Sequence, residues 1–151
     1  MLVPILMGSE SDKEFAQKIT NILDEWKVPY ELQVASAHKV PEKVLEIVQK
    51  YNISSEPICY ITIAGRSNGL SGVVAANSVH PVIACPPFSS KEDMLINMHS
   101  TLQMPSDTPV LTVVDPQNAV MAALRILGDA DPDLRARVDQ HIKEVKAKFN
   151  I

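Results

Sequence analysis

The chain has 151 residues, 46% of them hydrophobic, and 14 basic against 18 acidic side chains give a formal charge of -4. That supplies one domain with a proper core and too little chain for two. An acidic balance with no block of Lys or Arg argues against a nucleic-acid or membrane-surface footprint and leaves a small molecule as the expected partner.

No apolar run reaches the roughly 18 residues of a membrane span, and the N-terminus has neither a basic region nor a cleavage pattern, so a cytoplasmic protein is expected. Cys59 and Cys85 lie inside apolar runs, without CxxC spacing or histidines at ligand spacing. They read as reduced packing residues.

Residues 2–7 are continuously apolar, as in a strand covered on both faces, although Pro4 interrupts them. Gly8 to Asp12 break the run, and a helix follows whose face is Phe15, Ile19, Ile22, Leu23 and Trp26, with Ser11 and Glu14 at capping-box spacing. The unit then repeats. Residues 30–35 form a second strand, Ser36-Ala37-His38-Lys39 a turn, and Pro41 opens a helix bearing Val44, Leu45, Val48 and Tyr51. Residues 58–64 are the most strand-like run; Gly65-Arg66-Ser67-Asn68-Gly69 ends it before a small-residue helix over 70–78.

A fourth strand over 81–85 stops at Pro86-Pro87, ahead of a helix with Met94, Leu95, Met98 and Leu102 that ends at Gln103-Met104-Pro105. Residues 110–114 form a fifth strand, and Asp115-Pro116 starts a helix through Val120, Ala123, Leu124 and Leu127 to Gly128. A last helix begins at Asp131-Pro132 and carries Leu134, Val138, Ile142, Val145 and Phe149. With no sixth strand to cover, it is expected at a subunit contact, docking on its own domain being the other solution. The alternation predicts a single α/β domain over 1–151: a three-layer, open parallel sheet of five strands, flavodoxin-like, with an extra C-terminal helix.

In such sheets ligands bind beyond the carboxyl ends of the strands, and every unusual polar turn here follows a strand. Gly8 to Asp12 offer amides and hydroxyls at a helix N-terminus, where the dipole favours an anion; Asp12 is suited to ribose hydroxyls. Imidazole is the side chain that exchanges protons near neutral pH, which makes His38 the candidate acid and base. Lys39, with Ser9 and Ser36, suits a phosphate. Asn68 between glycines is expected at positive φ. Pro86 and Pro87 supply a stiff wall, and His80, His99 and His141 read as structural or surface residues.

Met7-Gly8-Ser9-Glu10-Ser11-Asp12, Ser36-Ala37-His38-Lys39, Ala64-Gly65-Arg66-Ser67-Asn68-Gly69-Leu70, Cys85-Pro86-Pro87 and Gln103-Met104-Pro105 together resemble the PurE family of purine biosynthesis, over nearly the whole chain. That family has a mutase branch, acting on N5-carboxyaminoimidazole ribonucleotide, and a carboxylase branch, joining CO2 to aminoimidazole ribonucleotide. The mutase branch typically carries a histidine in the third turn and Arg after Ser-Ala-His. Gly69 stands at that histidine's position and Lys39 at the Arg, so the resemblance favours the carboxylase.

The resemblance implies His38 at the reacting end. Gly8, Ser9, Ser11, Asp12, Ser36, Ala37, Lys39, Ala64, Gly65, Arg66, Ser67, Asn68, Gly69 and Pro86 would then form the substrate site. It implies a homo-oligomer, tetramer or octamer, with the last helix or the Gln103-Met104-Pro105 loop completing a neighbour's site. The chemistry needs no cofactor or metal: the ring amine pushes electrons onto C4, and one base removes the proton. The alternatives are the mutase activity and a non-catalytic nucleotide-binding flavodoxin-like module. Against the latter stand a first strand that ends in Gly8-Ser9, without the acidic cluster of a receiver, and the absence of aromatic residues, Phe88 excepted, from the four turns.

Overall fold

The computed structural model describes residues 1–149. β1 (Val3–Met7) is buried along its length and forms the axis of the sheet. β2 (Tyr30–Val34) pairs with one side of it and β3 (Tyr60–Ile63) with the other, both parallel. β4 (Val82–Ala84) and β5 (Leu111–Thr112) continue outward from β3, giving the order β2-β1-β3-β4-β5. This is the expected flavodoxin-like topology, with strand order reversing between β1 and β3. Pro4 explains a gap in the ladder: it has no N–H, and β1 meets β3 by a bridge at Leu2–Ile58 and then again only from Ile5.

Alternate residues of β1 serve opposite cores, as a pleated strand requires. Ile5 and Met7 pack with Phe15, Ile19 and Leu23 of α1 (Lys13–Glu25) and with Val120 and Leu124 of α5 (Pro116–Leu127). Leu6 faces Val44 and Val48 of α2 (Pro41–Asn52) and Leu70 and Val74 of α3 (Gly69–Asn77). Each such side chain, fully buried, stabilises the fold by about 1.5–3 kcal/mol. Pro41 at the head of α2 and the Asp115 and Asp131 caps of α5 and α6 (Pro132–Ala147) agree with the sequence reading.

Two expectations are corrected. Ser11 does not cap α1: Ser9 caps a 3-10 turn, Glu10–Asp12, and Asp12 stands at the N-cap of α1 without a side-chain cap bond. The extra turn inserted ahead of α1 shifts the cap by two residues. In α4 (Lys91–Leu102) the buried residues are Asn97 and Thr101, whereas Leu95, Ile96 and Leu102 are exposed. Its polar seam is used inward, so its apolar side faces out. One side of α6 packs on its own domain, the second of the two solutions: Leu134 and Val138 are buried in the core shared with α5, Ile142 packs against it, and His141 meets Trp26 edge-on. Its end, with Val145 and Phe149, is exposed.

Candidate active site

The turns after β1, β2, β3 and β4 converge on one cavity of about 710 Å³. β1 leads into Gly8, whose N–H donates to Ile63 O, and a Cβ on Gly8 would touch the Ala64 methyl at 3.4 Å. Gly8 and Ala64 thus lie side by side where the strand order reverses. The cavity wall contains Gly8, Ser9, Ser11 and Asp12 from the first turn, Ser36, Ala37 and His38 from the second, and Ala64, Gly65, Arg66 and Ser67 from the third.

The first turn is a set of donors. The Ser9 hydroxyl accepts from the Ser11 N–H and from the Ser11 hydroxyl, and both serines are exposed to the cavity. Beside them the half-buried Asp12 carboxyl is pushed above its ordinary range by burial, an effect partly offset by a backbone hydrogen bond at Ser9. The ionised form is therefore disfavoured in the folded chain, so stability falls as pH rises through the ordinary carboxyl range and stays reduced above it. Asp12→Asn should stabilise the ligand-free protein near neutral pH and so raise its melting temperature, the gain in stability being less than about 1 kcal/mol because solvent screens a half-exposed group. The gain should vanish under acid conditions. Melting curves at the two pH values would show it, and an equal gain at both would separate it from ionisation.

The second turn is closed by Val40 N–H on Ser36 O at 2.9 Å. His38 projects into the cavity wall and abuts α3, where a Cβ on Gly69 would lie 2.7 Å from His38 Nε2. Any side chain at position 69 would displace the imidazole. Gly69 is therefore behind His38 and outside the cavity wall. Lys39, exposed, is not in the wall either; the lysine there is Lys18, one turn along α1, with Nζ over the Phe15 ring at 5.4 Å.

The third turn is braced to the fourth. Asp93 accepts from Arg66 Nη1 at 2.9 Å, from the Ser89 N–H at 3.0 Å and from Asn97 Nδ2 at 3.3 Å, and the Ser89 and Arg66 contacts hold its carboxyl below its ordinary range. Asn97 Nδ2 also donates to Pro87 O at 2.7 Å. Pro87, Phe88, Ser89, Asp93 and Asn97 all line the cavity, whereas Pro86 is buried behind them. The backbone N–H groups of Gly65, Arg66 and Ser67 make no hydrogen bond within the described chain.

Asn68 departs from expectation twice. Its φ is -82°, not positive, and its side chain is buried. Oδ1 caps α3 by accepting from the Ser71 N–H, Nδ2 donates to the Ser71 and Thr101 hydroxyls, and the Asn68 N–H donates to Ser100 Oγ. All its polar groups are used internally. The Gln103-Met104-Pro105 loop also folds onto its own chain, with Met104 Sδ 3.1 Å from where a Gly72 Cβ would be.

Sequence reasoning missed Glu14, Lys18, Asp93 and Asn97. The first two lie one helical turn apart along the same edge of the apolar face of α1, and the last two fall on a helix whose apolar pattern pointed the wrong way. Cys59 and Cys85 are buried and free, their thiols pushed up to about 12 by burial, with the Asp115 charge adding at Cys85. His80 is structural, its Nε2 3.0 Å from Tyr51 O, and His99 is exposed. Among the described residues no cluster of His, Cys, Asp or Glu has metal-binding geometry, and no helix is long and apolar enough to cross a membrane.

The fold has close counterparts. The crystal structure of PurE from Treponema denticola superposes with a TM-score of 0.90 at 38% identity, covering 98% of this chain and 93% of that one. The phosphoribosylaminoimidazole carboxylase of the same organism is 39% identical over 148 residues, 98% of this chain and 92% of the relative. The N5-carboxyaminoimidazole ribonucleotide mutase of Methanocaldococcus jannaschii is 42% identical over 149 residues, 97% and 92% respectively. The family model described as AIR carboxylase matches residues 2–148, and the chain belongs to this family, PurE, of purine biosynthesis.

Proposed function

We propose that the chain is the carboxylase: it joins CO2 reversibly to C4 of aminoimidazole ribonucleotide, without ATP, cofactor or metal. The observation that carries this reading is Gly69 against His38, at 2.7 Å from its Cβ position to Nε2. A second imidazole at this position, as the mutase branch carries, would compete for the space His38 fills. His38 is then the one imidazole of the cavity wall among the described residues.

In this reading Ser9, Ser11 and Ser36 hold the phosphate at the N-terminal end of α1, with Lys39 closing over it from the rim. Asp12 accepts from the ribose hydroxyls. Gly65 to Ser67 turn unpaired N–H groups toward the developing carboxylate, in a recess that Ala64 and Pro87 keep apolar. The amine of the ring pushes electron density onto C4, C4 attacks CO2, and His38 removes the C4 proton to restore aromaticity. In reverse it returns that proton.

The protein is read as cytoplasmic and as a homo-oligomer, tetramer or octamer, which would cover Leu95, Ile96 and Leu102 of α4 and the Val145 and Phe149 end of α6. A monomer mass by light scattering would rule the assembly out. The reaction is tested by offering aminoimidazole ribonucleotide with freshly dissolved CO2, beside the N5-carboxylated isomer, and following the C4-carboxylated product. Turnover with CO2 alone is expected; turnover only with the isomer would make the chain a mutase.

A further inference from the structure

Two buried side-chain polar atoms among the described residues have no hydrogen-bond partner: the Tyr60 hydroxyl and Asn97 Oδ1. Tyr60 begins β3, at the end of the sheet opposite the cavity, but Asn97 is in the cavity wall. Asn97 is only 4% exposed, and its amide has one possible orientation. Nδ2 faces Pro87 O and the Asp93 carboxylate, which are acceptors only, so the NH2 group must lie on that side and the carbonyl oxygen must point away. Native chains seldom leave such an oxygen without a donor.

The amide lies flat on Gly65: a Cβ there would be 3.3 Å from Nδ2 and 3.4 Å from both Cγ and Oδ1. The free acceptor therefore sits beneath the exit of β3, covered by the Gly65 turn and closed to solvent, so a ligand reaches it when that turn shifts. No side chain at Gly65 intervenes, and a glycine turn with unpaired N–H groups is the part of the wall that adjusts most readily to a ligand.

We propose that Asn97 is a specificity-determining residue whose Oδ1 accepts a hydrogen bond from the exocyclic amine of the nucleotide's imidazole ring. The inference rests on the reading of this cavity as the aminoimidazole ribonucleotide site. The amine is attached to the carbon next to C4, so a group that holds it must lie beside the carboxylate recess, as Asn97 does. Accepting from its N–H favours release of the nitrogen lone pair into the ring, which raises electron density at the carbon that meets CO2. A ring without the amine leaves the oxygen as unpaired as it is in the free protein and forgoes this bond, so it binds less tightly.

The test is calorimetric binding of aminoimidazole ribonucleotide and of imidazole ribonucleotide, which lacks the amine, to wild type, Asn97→Leu and Asn97→Asp. Wild type should prefer the amine-bearing nucleotide by about tenfold. Asn97→Leu, similar in size but without an acceptor, should bind the two alike; Asn97→Ala asks the same question if the leucine variant does not fold. Asn97→Asp, whose inner oxygen faces Pro87 O and the Asp93 carboxylate and so holds a proton there, keeps the outer oxygen as an acceptor and should keep the preference, whatever its overall affinity. A role confined to bracing the turns would weaken both nucleotides together and preserve the ratio, and that result, or no preference in wild type, overturns the proposal. Wild-type turnover of the N5-carboxylated isomer alone would refute the carboxylase reading, and the binding ratio would still decide the role of Asn97.

Discussion

Replacing His38 by asparagine should leave nucleotide binding near the wild-type level and lower turnover by about 10²–10⁴, the usual worth of a positioned general acid or base. Asparagine keeps a polar group at the turn but has no proton to exchange near neutral pH. Nothing holds the fold together through this side chain: His38 is exposed, and the turn is closed by backbone bonds to Ser36 O. Calorimetric titration should therefore give an affinity close to wild type, while the appearance of the C4-carboxylated product slows. The residual rate reports what positioning and the Gly65 to Ser67 amides supply without the base. Turnover that survives the substitution would remove His38 from the mechanism and direct attention to the remaining ionisable groups of the wall, Asp12 first.

The legible parts of this protein were those where local chemistry decides the outcome. Five alternations of apolar run, polar turn and amphipathic helix fix a parallel sheet, and the rule that ligands sit beyond its carboxyl ends then places Gly8, Ser36, His38 and Gly65 together without further information. Pro41, Asp115 and Asp131 signalled helix starts because a cap is written within three residues. What sequence could not give depends on partners far along the chain. Asn68 looked like a ligand because it stands between glycines in a polar turn, and its partners Ser100 and Thr101 are about thirty positions away. The same holds for Asp93 and Asn97: on a helix patterned by Met94, Leu95, Met98 and Leu102 they read as the solvent face. Their inward orientation follows from Pro87 O, which accepts from Asn97, and from the Ser89 N–H and Arg66, which donate to Asp93, none of which the helical period reveals.

Asn68→Ala should destabilise the protein by about 2–4 kcal/mol, more than any substitution on the open side of the cavity. Two costs add. The cap of α3 is lost with Oδ1, a change worth about 1 kcal/mol. The loss of Nδ2 then takes one donor from each of the hydroxyls of Ser71 and Thr101, both fully buried, which keep only their bonds to Thr62 Oγ1 and Asn97 O. Truncation also leaves a void where the amide was. For a chain of this length the melting temperature should drop by about 5–15 °C. Asn68→Asp separates the two costs, since it keeps the cap acceptor, removes the donor pair and buries a carboxylate, and it should be no more stable than the alanine variant. An Asn68→Ala protein that melts like wild type yet binds nucleotide poorly would return this side chain to the ligand and undo its assignment to the fold. The expected result makes the third turn a composite, with Gly65 to Ser67 facing the ligand and Asn68 anchoring them to α3 and α4.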